Sequence, residues 1–548
     1  MLDIYKQFCK IGFNKKGILN YFEPVYPEDF NFAYDCVDKI AELEPDKTAL
    51  VWCNVAGEER TFTFREMRDL SNKTANYLKS LGLKKGDAVM LILKRNYQYW
   101  YTVLALHRLG IIAIPATNQL TAKDVIYRVN AASVRAVICS AECDIAEHVE
   151  QSESQCETLE FKLLARGTRE GWIDFDAMVD ASPDTPLSRV TKATDPMLMY
   201  FTSGTTGYPK MALHDFTYPI GHIITAKFWQ NLHENSLHLT VAETGWAKAS
   251  WGKIYGQWFA GAAVFVYDFD RFVPEDLLEM IKRHKVTSFC APPTIFRFFI
   301  KAGIEGGYLD SLEYATIAGE ALNPEVFNKF KEFTGLSLME GFGQSESTMM
   351  LGNLAGTTPK PGSMGKPSPL YRISLVDDEG NEVPPGEVGE IVVKVDDRKQ
   401  VGLFIGYYRN QEKTDEVWHD GYYHTGDTAW RDEDGYFWYV GRKDDIIKSS
   451  GYRIGPFEIE SVLLEHPAVM DCAITGAPHP VRGQVVKATI VLTSGYEPSE
   501  ELVKELQTHV KNLTAPYKYP RIIEFVDELP KTISGKIRRV AIREKKDQ

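Results

Sequence analysis

The sequence has no apolar run long enough to cross a membrane, and it carries little positive charge for its size. Its 548 residues include 62 Lys and Arg against 75 Asp and Glu, a formal net charge of −13. No stretch of about 18 apolar residues occurs, so no membrane-spanning helix is expected. The acidic balance argues against nucleic acid or an anionic membrane as the main partner, because both attract basic surfaces.

Cysteine is sparse and follows no metal-ligand pattern. The closest pair among the eight cysteines, Cys139 and Cys143, has no second pair at zinc-ligand spacing, so free thiols in a reducing compartment are expected. The first residues, MLDIYKQFCKIGFNKKGIL, lack the apolar centre and small-residue cleavage site of a secretory signal. They are cationic and poor in acid, which leaves a transit peptide open. Domain-like sequence follows quickly and favours a cytoplasmic protein.

Short apolar runs alternate with amphipathic stretches over most of the chain. Residues 88–93 (AVMLIL), 136–139 and 288–291 predict buried strands, and residues 99–109 and 274–284 predict helices. Strands that alternate with helices indicate an α/β fold with parallel-rich sheets. The length is too great for one ordinary domain, so two or more folding units are expected.

The pattern changes in the last third of the chain. From about Tyr371, turn signals such as DEG, PPG and DEDG separate hairpin-like strands, which predict a small β-barrel-like part at the end of a large N-terminal domain. From about Arg442, a helix–strand–strand–helix pattern predicts a small, mobile α+β domain. The expected domains are residues 1–441 and residues 442–548.

The most informative segment is glycine-rich and spans residues 200–210 (YFTSGTTGYPK), after a predicted strand at 197–201. Its glycines allow backbone N–H groups to approach phosphate oxygens, its hydroxyls add donors, and Lys210 adds a positive charge. The Walker A spacing is absent, so this is not the usual P-loop. By itself the segment also fits a flexible surface loop.

This segment closely resembles the signature loop of the adenylate-forming superfamily, which comprises acyl-CoA synthetases, adenylation domains of peptide synthetases, and luciferases. Within it, the whole chain looks most like the medium-chain acyl-CoA synthetase branch. The other motifs that carry the resemblance follow in the family's order: GEAL at 319–322, EGFGQSE at 340–346, YHTGD at 423–427, GRKDD at 441–445, SSGYRIGPFEIE at 449–460 and PKTISGKIRR at 530–539. Phe342 and Ser345 depart from the usual Tyr and Thr, but they keep an aromatic face and a hydroxyl.

The resemblance implies an AMP-forming acid–CoA ligase, which joins a carboxylic acid to ATP as an acyl-adenylate and passes the acyl group to coenzyme A. It implies that residues 1–441 bind ATP and the acid, and that residues 442–548 carry the catalytic lysine. The implied nucleotide-binding residues are Thr202, Ser203, Gly204, Thr205, Thr206, Gly207, Lys210, Gly319, Glu320, Ala321, Glu340, Gly341, Phe342, Gly343, Asp427, Arg442 and Arg453.

The implied catalytic residues are Lys536, Glu346 and Ser345. Glu346 offers a hard carboxylate to Mg²⁺, Ser345 a hydroxyl to the α-phosphate, and Asp427 a carboxylate to both ribose hydroxyls. A lysine suits adenylation because it can bridge the substrate carboxylate and the α-phosphate, whose charges otherwise repel. Acetylation of Lys536, known in some relatives, would remove that charge.

The second half-reaction implies a rotation of the small domain about Asp444. The resemblance then places Ser450, Gly451 and Tyr452 along the pantetheine path and Arg482, Lys518 and Arg521 at the CoA phosphates. Alternatively, these basic side chains are ordinary solvent-exposed residues without a role in binding.

The acyl pocket is expected at Trp246, Trp251 and Gly343. The acetate-specific branch carries a bulky Trp where this chain has Gly343, so the resemblance predicts a pocket for larger acids. The two indoles would limit its depth, although both tryptophans also suit core packing. Medium-chain acids of roughly C4–C8, branched acids or aromatic acids are therefore expected, since each buried CH₂ contributes about 0.8 kcal/mol.

The sequence also allows three other interpretations. An adenylation enzyme that loads a carrier protein is the main alternative, and no carrier domain follows Lys536 in this sequence. A luciferase-like oxygenase is disfavoured because the overall resemblance lies with CoA synthetases. A non-catalytic relative would be expected to lack Glu346, Asp427 or Lys536, and all three are present.

Overall fold

Two large sheets, rich in parallel pairs, build the N-terminal part of the chain. The structure is a computed structural model that describes residues 2–202, 209–304, 306–320, 322–395, 400–450, 452–531 and 537–544. Outside the described residues lie the predicted site residues Ser203, Gly204, Thr205, Thr206, Gly207, Ala321, Gly451 and Lys536.

The first sheet has eight strands, in the spatial order Gly406–Tyr407, Lys210–Asp215, Pro196–Thr202, Ile112–Pro115, Ala88–Ile92, Val134–Ser140, Phe161–Ala165 and Ile173–Asp174. From Pro196–Thr202 to Ile173–Asp174 every neighbouring pair is parallel. The remaining two pairs are antiparallel.

The second sheet has nine strands, in the order Lys366–Pro367, Leu351–Gly352, Leu338–Phe342, Tyr314–Ile317, Ser288–Ala291, Leu237–Thr240, Ala263–Asp268, Thr48–Asn54 and Glu59–Thr63. The strands from Leu338–Phe342 to Thr48–Asn54 pair in parallel. Parallel strands put their carboxyl ends at one edge, where open α/β sheets bind ligands.

Helices cover these sheets. The α-helices of the N-terminal part are Lys39–Leu43, Phe64–Ser80, Gln98–Leu109, Ala122–Ala132, Ile145–Ser152, Phe175–Ala181, Tyr218–Ile223, Lys248–Gly252, Tyr255–Phe259, Pro274–His284, Pro293–Ala302, Pro324–Thr334 and Gln411–Asp415. Shorter 3-10 or π turns occur at Ile4–Gln7, Ala33–Asp38, Glu153–Gln155 and Ile224–Trp229. No helix in the described part of the chain is both long and apolar enough to span a bilayer.

Local chemistry fixes the helix ends. Pro274 begins Pro274–His284, where a missing N–H costs nothing, and acidic residues fill the first turn while basic residues fill the last. Thr63 and Glu66 form a reciprocal capping box at the start of Phe64–Ser80. These are the patterns from which the sequence predicts helices.

Two smaller sheets follow. The segment predicted to be barrel-like forms a five-stranded antiparallel sheet of Arg372–Val376, Val388–Lys394, Tyr422–Arg431, Trp418–His419 and Phe437–Arg442. The C-terminal part contains a second five-stranded sheet, of Tyr452–Ile454, Ile447–Ser449, Gly483–Leu492, Val469–His479 and Ile522–Phe525. The helices Pro456–Leu464, Glu500–Leu513 and Arg539–Glu544 and the 3-10 turn Pro516–Lys518 complete it.

The small C-terminal unit has its own apolar core, which includes Ile459, Ile474, Ile490 and Leu506, all fully buried. The apolar clusters around the two large sheets are separate from this core and are made of other residues. All eight cysteines are free thiols, as the sequence suggested, and seven of them are buried.

The first residues form part of the fold. The strand Cys9–Phe13 pairs with Leu19–Pro24, and the side chains of Leu2, Ile4 and Phe8 are buried in the largest core.

Candidate active site

The predicted motifs leave the second sheet from one edge. The segment 319–320 follows the strand Tyr314–Ile317, and residues 343–346 follow the neighbouring parallel strand Leu338–Phe342. The helix Lys248–Gly252, which comes after the strand Leu237–Thr240, lies beside both segments. The sequence order alone did not place these segments together; the parallel pairing does.

Asp427 lies at the centre of a hydrogen-bond network. Its carboxylate accepts a hydrogen bond from the Tyr439 hydroxyl at 3.0 Å and one from the Gln344 amide at 2.5 Å. The Arg442 guanidinium is 3.9 Å away, opposite Asp427 on the paired strand. The carboxylate is 5% exposed, so its charge is held by these donors and is positioned for a further polar partner.

Aromatic rings flank this carboxylate. Phe342 is half-buried, and its ring centroid lies 6.3 Å from that of Tyr439. Burial, followed by the charge of Asp427, raises the pKa of the Tyr439 hydroxyl well above its usual value. The hydroxyl therefore stays protonated and donates. A flat ring next to a fixed carboxylate suits a purine nucleoside.

Glu346, Tyr407 and Lys210 form a second polar group. The Tyr407 hydroxyl donates to Glu346 Oε1 at 2.9 Å, and Lys210 Nζ lies 4.8 Å from the centre of the Tyr407 ring. Burial lowers the pKa of the Lys210 ammonium, and the charge of Glu346 acts against this lowering. The glycine-rich segment and the EGFGQSE motif therefore meet through Tyr407, which had no signal in the sequence.

Ser345 is held through its backbone. Its carbonyl oxygen lies 2.8 Å from Nε2 of His214, a fully buried imidazole on the strand Lys210–Asp215. Burial lowers the pKa of His214 to about 4, so the ring is neutral at physiological pH and its Nε2–H can donate to this carbonyl.

The segment around Gly319 has a backbone shape that favours glycine, with φ at +104°. Lys248 donates to the Ala318 carbonyl at 2.6 Å and lies next to Gly319. Glu320 accepts a hydrogen bond from Thr294 at 2.9 Å. The helix that follows begins only at Pro324, so GEAL precedes the helix as a loop.

The buried side chain of Glu340 contacts the backbone of this loop. Its carboxyl is 3% exposed, and burial raises its pKa to about 8, although a hydrogen bond from the Leu322 N–H acts in the other direction. At neutral pH a large part of Glu340 is protonated. Its contact is with the backbone of the loop that follows 319–320.

The glycines of EGFGQSE allow close packing of two tryptophans. A Cβ at Gly341 would lie 2.7 Å from the Trp229 ring, and one at Gly343 would lie 2.5 Å from Trp251 Cη2 and 2.6 Å from the Thr348 carbonyl oxygen. The sequence argument that Gly343 leaves open volume is therefore corrected: the indole of Trp251 fills the space next to it. Trp251 is 7% exposed and packs edge-on against Trp229.

Trp246 differs from Trp251 in its environment. It is half-buried, and its backbone N–H donates to the Glu243 carbonyl at 3.3 Å. Of the two predicted pocket tryptophans, Trp251 is the one in direct contact with the motif.

Arg442 and Asp444 lie at the junction of the antiparallel sheet and the C-terminal part. Arg442 Nε is 3.6 Å from Asp444 Oδ1. Burial alone would lower the pKa of Arg442, but Asp427 and Asp444 raise it above its ordinary value. The guanidinium thus joins the predicted ribose residue to the predicted hinge.

Arg453 contacts the antiparallel sheet in this structure. Its guanidinium forms an ion pair with Asp378 in the turn after Arg372–Val376, and this pair lowers the pKa of Asp378. Lys443 lies 3.4 Å from the same carboxylate. In this structure the Arg453 guanidinium therefore contacts the antiparallel sheet, and its role at the nucleotide stays a prediction.

The predicted CoA residues cluster on the C-terminal part. Arg482 donates to Ser450 Oγ at 3.2 Å, and the exposed ring of Tyr452 stacks on Tyr517 with centroids 4.0 Å apart. Lys518 is ion-paired with Glu458, and Arg521 lies over the Tyr519 ring at 4.8 Å. Lys511 is a further basic side chain on this surface, and no motif identified it. Its Nζ lies 4.0 Å from the centroid of the same Tyr519 ring.

No group of three or more His, Cys, Asp or Glu side chains in the described ranges is arranged to hold a metal by itself. Glu346 is a single carboxylate whose Oε1 already accepts from Tyr407. This donor set fits Mg²⁺ of the kind that is bound mostly by substrate phosphates and water.

Known proteins place the chain in a family. The family model described as AMP-binding enzyme matches residues 37–408, and the model described as AMP-binding enzyme C-terminal domain matches residues 458–536. The chain therefore belongs to the AMP-binding enzyme family, the adenylate-forming enzymes.

Its relatives narrow the class. The chain is 41% identical over 542 residues to human acyl-coenzyme A synthetase ACSM3, mitochondrial. The aligned region covers 97% of this chain and 92% of that protein. It is 44% identical over 528 residues to rat acyl-coenzyme A synthetase ACSM5, mitochondrial, with coverage of 94% and 91%. A solved anthranilate CoA ligase, AuaEII with anthranoyl-AMP, superposes with a TM-score of 0.85 at 30% identity and coverage of 94% and 97%.

Within the family the chain is an AMP-forming acid–CoA ligase of the medium-chain acyl-CoA synthetase branch, and its substrates are a small carboxylic acid, ATP and coenzyme A. Loading of a carrier protein, the alternative raised by the sequence, is not favoured by these relatives.

Proposed function

We propose that this ligase binds the ATP ribose at Asp427, its purine next to Phe342, and its phosphates between Lys210, Ser345 and Glu346. The observation that carries the proposal is the meeting of motifs far apart in sequence: the Gln344 amide bonds to Asp427, and the Tyr407 hydroxyl bonds to Glu346. A carboxylate held by donors accepts from hydroxyl groups, and a hydroxyl, a lysine and a metal-binding carboxylate suit phosphate.

The reaction then needs position and charge more than a protein nucleophile. The acid's carboxylate oxygen attacks the α-phosphorus, the bond to the β-phosphate bridging oxygen breaks, and diphosphate leaves. In the second step the CoA sulfur attacks the acyl carbonyl, AMP leaves, and the thiol proton is lost to solvent or to AMP. We assign the stabilisation of charge in the first step to Lys536 on the basis of the family motif.

Mg²⁺ belongs to the proposal through Glu346. When bound, the ion would neutralise part of the polyphosphate charge. Glu346 would hold it with one carboxylate, and the Tyr407 hydroxyl would fix the orientation of that carboxylate.

Glu346→Gln tests this role. The amide keeps the size of the side chain but is a much poorer Mg²⁺ ligand, so we expect the Mg²⁺ concentration for half-maximal adenylation to rise by about tenfold or more. Pyrophosphate exchange over a Mg²⁺ titration measures it. Glu416→Gln, which changes a carboxylate that is ion-paired with Lys413 near Tyr407, is the matched control. A normal Mg²⁺ response in Glu346→Gln would remove Glu346 as the ligand.

The preferred acid is proposed to be a medium-chain, branched or aromatic acid. The indole of Trp251 fills the space next to Gly343 and packs edge-on against Trp229, and the Trp251 backbone carbonyl accepts hydrogen bonds from the buried Gln257 and Gln230 at 2.9 and 3.3 Å. A fixed indole gives the acyl group a broad apolar wall of limited depth. The related ligase AuaEII is named for an aromatic acid, anthranilate, which suits such a wall.

A pair of substitutions tests the wall. Trp251→Gly alone should extend the accepted chain, with each additional buried CH₂ contributing about 0.8 kcal/mol, or nearly fourfold in kcat/KM. Gly343→Trp alone should destabilise the fold, because even a Cβ would meet Trp251 and the Thr348 carbonyl. In the double variant, Trp251→Gly removes the clash with the indole, and we expect a shift towards acetate or propionate.

Measurement of kcat/KM over straight-chain acids from C2 to roughly C12 reports these shifts. Trp229→Phe serves as a control for the loss of indole area in the neighbouring packing, since Trp229 contacts Gly341 and not Gly343. An unchanged chain-length profile in Trp251→Gly would show that this indole does not limit the pocket.

The overall proposal is tested by a pyrophosphate-release screen over short, medium, branched and aromatic acids with free CoA. We expect acyl-CoA and AMP in equal amounts, with the highest kcat/KM for roughly C4–C8, branched or aromatic acids. Acetate as the best substrate would contradict the proposed acid class while leaving the ligase activity in place.

The domain division at 441/442 remains a proposal, and so does a rotation about Asp444. The separate C-terminal core supports a unit that folds around its own apolar residues. We expect limited proteolysis to cut close to Asp444 in the free enzyme and more slowly with a bound adenylate analogue. Equal resistance of this junction in every ligand state would contradict the rotation.

The cytoplasmic location also remains a proposal, since the names of the mammalian relatives include the word mitochondrial. The structure supports it in one respect. Leu2, Ile4 and Phe8 are buried, so cleavage after them would uncover core side chains. Cell fractionation with detection of the mature N-terminus distinguishes the two locations.

A further inference from the structure

Gln344 is part of the EGFGQSE segment, yet its side chain contacts the YHTGD segment 79 to 83 residues further along the chain. Its amide nitrogen Nε2 donates to the Thr425 carbonyl at 2.9 Å and to Asp427 Oδ2 at 2.5 Å. Its amide oxygen accepts from the Tyr423 hydroxyl at 2.7 Å. One side chain thus binds three residues of the same neighbouring strand.

Chemistry fixes the orientation of this amide. Both the Thr425 carbonyl and the Asp427 carboxylate can only accept, so they must face the NH₂ group of Gln344. The amide oxygen then faces Tyr423. Burial raises the pKa of the Tyr423 hydroxyl well above its usual value, so this hydroxyl is protonated and donates. A reversed amide would place its oxygen against both the Asp427 carboxylate and the Thr425 carbonyl, and contact among these acceptors is strongly unfavourable.

We infer that Gln344 is a positioning residue that holds the Asp427 carboxylate in the orientation needed for the two ribose hydroxyl groups. The inference rests on the proposed role of Asp427 and extends it to a residue that does not need to touch the nucleotide. Gln344 occupies Oδ2, while the Tyr439 hydroxyl occupies Oδ1 at 3.0 Å. With a donor on each oxygen, the plane of the carboxylate is fixed.

The same contacts couple the two motifs. The backbone N–H of Gln344 donates to Ser347 Oγ at 3.0 Å, and the carbonyl of the adjacent Ser345 accepts from His214. The backbone on both sides of Gln344 is therefore held, while its side chain reaches the ribose segment. A shift of the phosphate-binding residues 345–346 would be passed to Asp427 through this amide.

The test measures discrimination between ATP and its 2′-deoxy and 3′-deoxy analogues in pyrophosphate exchange. The unchanged enzyme should lose about tenfold or more in kcat/KM when a ribose hydroxyl is absent. Gln344→Leu removes the amide at similar volume. We expect KM for ATP to rise more than kcat falls, and we expect the preference for ATP over the deoxy analogues to decrease to a few-fold.

Gln344→Glu gives a second readout with nearly the same shape. Its carboxylate would face the Asp427 carboxylate and the Thr425 carbonyl, so it should be worse than Gln344→Leu at pH 8. Protonation of the introduced group restores one donor, so the defect should shrink as the pH is lowered towards 6. A variant damaged only in packing would show no such pH dependence relative to the parent enzyme.

Tyr423→Phe keeps the experiment decisive if the Gln344 variants fold poorly. It removes only the hydroxyl that orients the amide, and it should weaken ribose discrimination in the same direction by a smaller factor. Tyr371→Phe is its matched control, since Tyr371 is also a buried tyrosine but bonds to Thr348 at 2.8 Å, within the large core. That control should keep the parent discrimination.

The outcomes separate the inference from the proposed function. If Asp427→Ala abolishes discrimination while Gln344→Leu and Tyr423→Phe leave it at the parent value, the role of Gln344 is overturned and the role of Asp427 stands. If the parent enzyme uses ATP and both deoxy analogues equally well, the ribose role of Asp427 fails and the inference about Gln344 fails with it.

Discussion

Replacing Lys536 with alanine is expected to lower the rate of acyl-adenylate formation by about 10²–10³-fold, the usual effect of removing one charge-stabilising group from a transition state. The loss should fall on the first half-reaction alone. The carboxylate and the α-phosphate are both negative when they react, and the ammonium is the group assigned to offset that repulsion. Thioester formation involves a neutral carbonyl and a thiolate, so it does not need this lysine.

The two half-reactions are measured separately, by pyrophosphate exchange and by AMP release from synthetic acyl-adenylate with CoA. Lys531→Ala is the control, because Lys531 lies on the same terminal segment but is ion-paired with Asp471 on the surface. Equal loss in both half-reactions of Lys536→Ala would contradict a role limited to adenylation.

Asp427→Ala is expected to raise KM for ATP and lower kcat, with a combined loss of about 10²-fold in kcat/KM. The ribose hydroxyls lose their acceptor. The donors that now face Asp427, from Gln344 and Tyr439, also lose their partner in a buried site. Asp427→Asn should lower the stability of the fold less than Asp427→Ala does. It should still disturb the Gln344 amide, since it brings an NH₂ group into the site.

Steady-state kinetics in ATP and a thermal melt with and without ATP check this prediction. Asp432→Ala is the matched control: Asp432 directly follows the same strand and forms an ion pair with Lys360, away from Phe342 and Gln344. A normal KM for ATP in Asp427→Ala would show that the ribose is bound elsewhere.

Local patterns predict much of the fold. The helix Pro274–His284 and the strand Ser288–Ala291 have the predicted limits, because a proline start, terminal charges and a short apolar run are local signals. The strand Gly483–Leu492 begins before its apolar run, with Gly483 and Gln484. Its first residues are polar, and they are extended because they pair with Val469–His479, a contact that no local pattern encodes.

The candidate site likewise contains some residues that sequence motifs identify and others that only the fold brings there. Asp427 and Glu346 were recognised within contiguous motifs, but Tyr439 and Tyr407, which orient them, come from other strands. Trp251 against Gly343 is likewise a contact between distant segments, and it reversed the expectation of open volume. Identity of a motif can be recognised from sequence, whereas the neighbours that set its geometry depend on sheet pairing.

The contacts on either side of Asp444 bear on the proposed rotation of the small unit. On one side, Lys443 follows the proposed division at 441/442 but still contacts the large unit: its N–H donates to the Gly426 carbonyl at 2.8 Å, and its ammonium lies 2.9 Å from Glu390. On the other side, Asp445 belongs to the small unit, because it accepts from Arg543 at 2.9 Å.

Under the proposed rotation about Asp444, the ion pairs of Lys443 and Asp445 can remain. The rotation would break the hydrogen bond from the Asp445 N–H to the Arg442 carbonyl at 3.0 Å, which spans Asp444, and it would separate Arg453 from Asp378. If the small unit rotates as proposed, this exposed ion pair would be a weak restraint on the rotation, and rising ionic strength would weaken it.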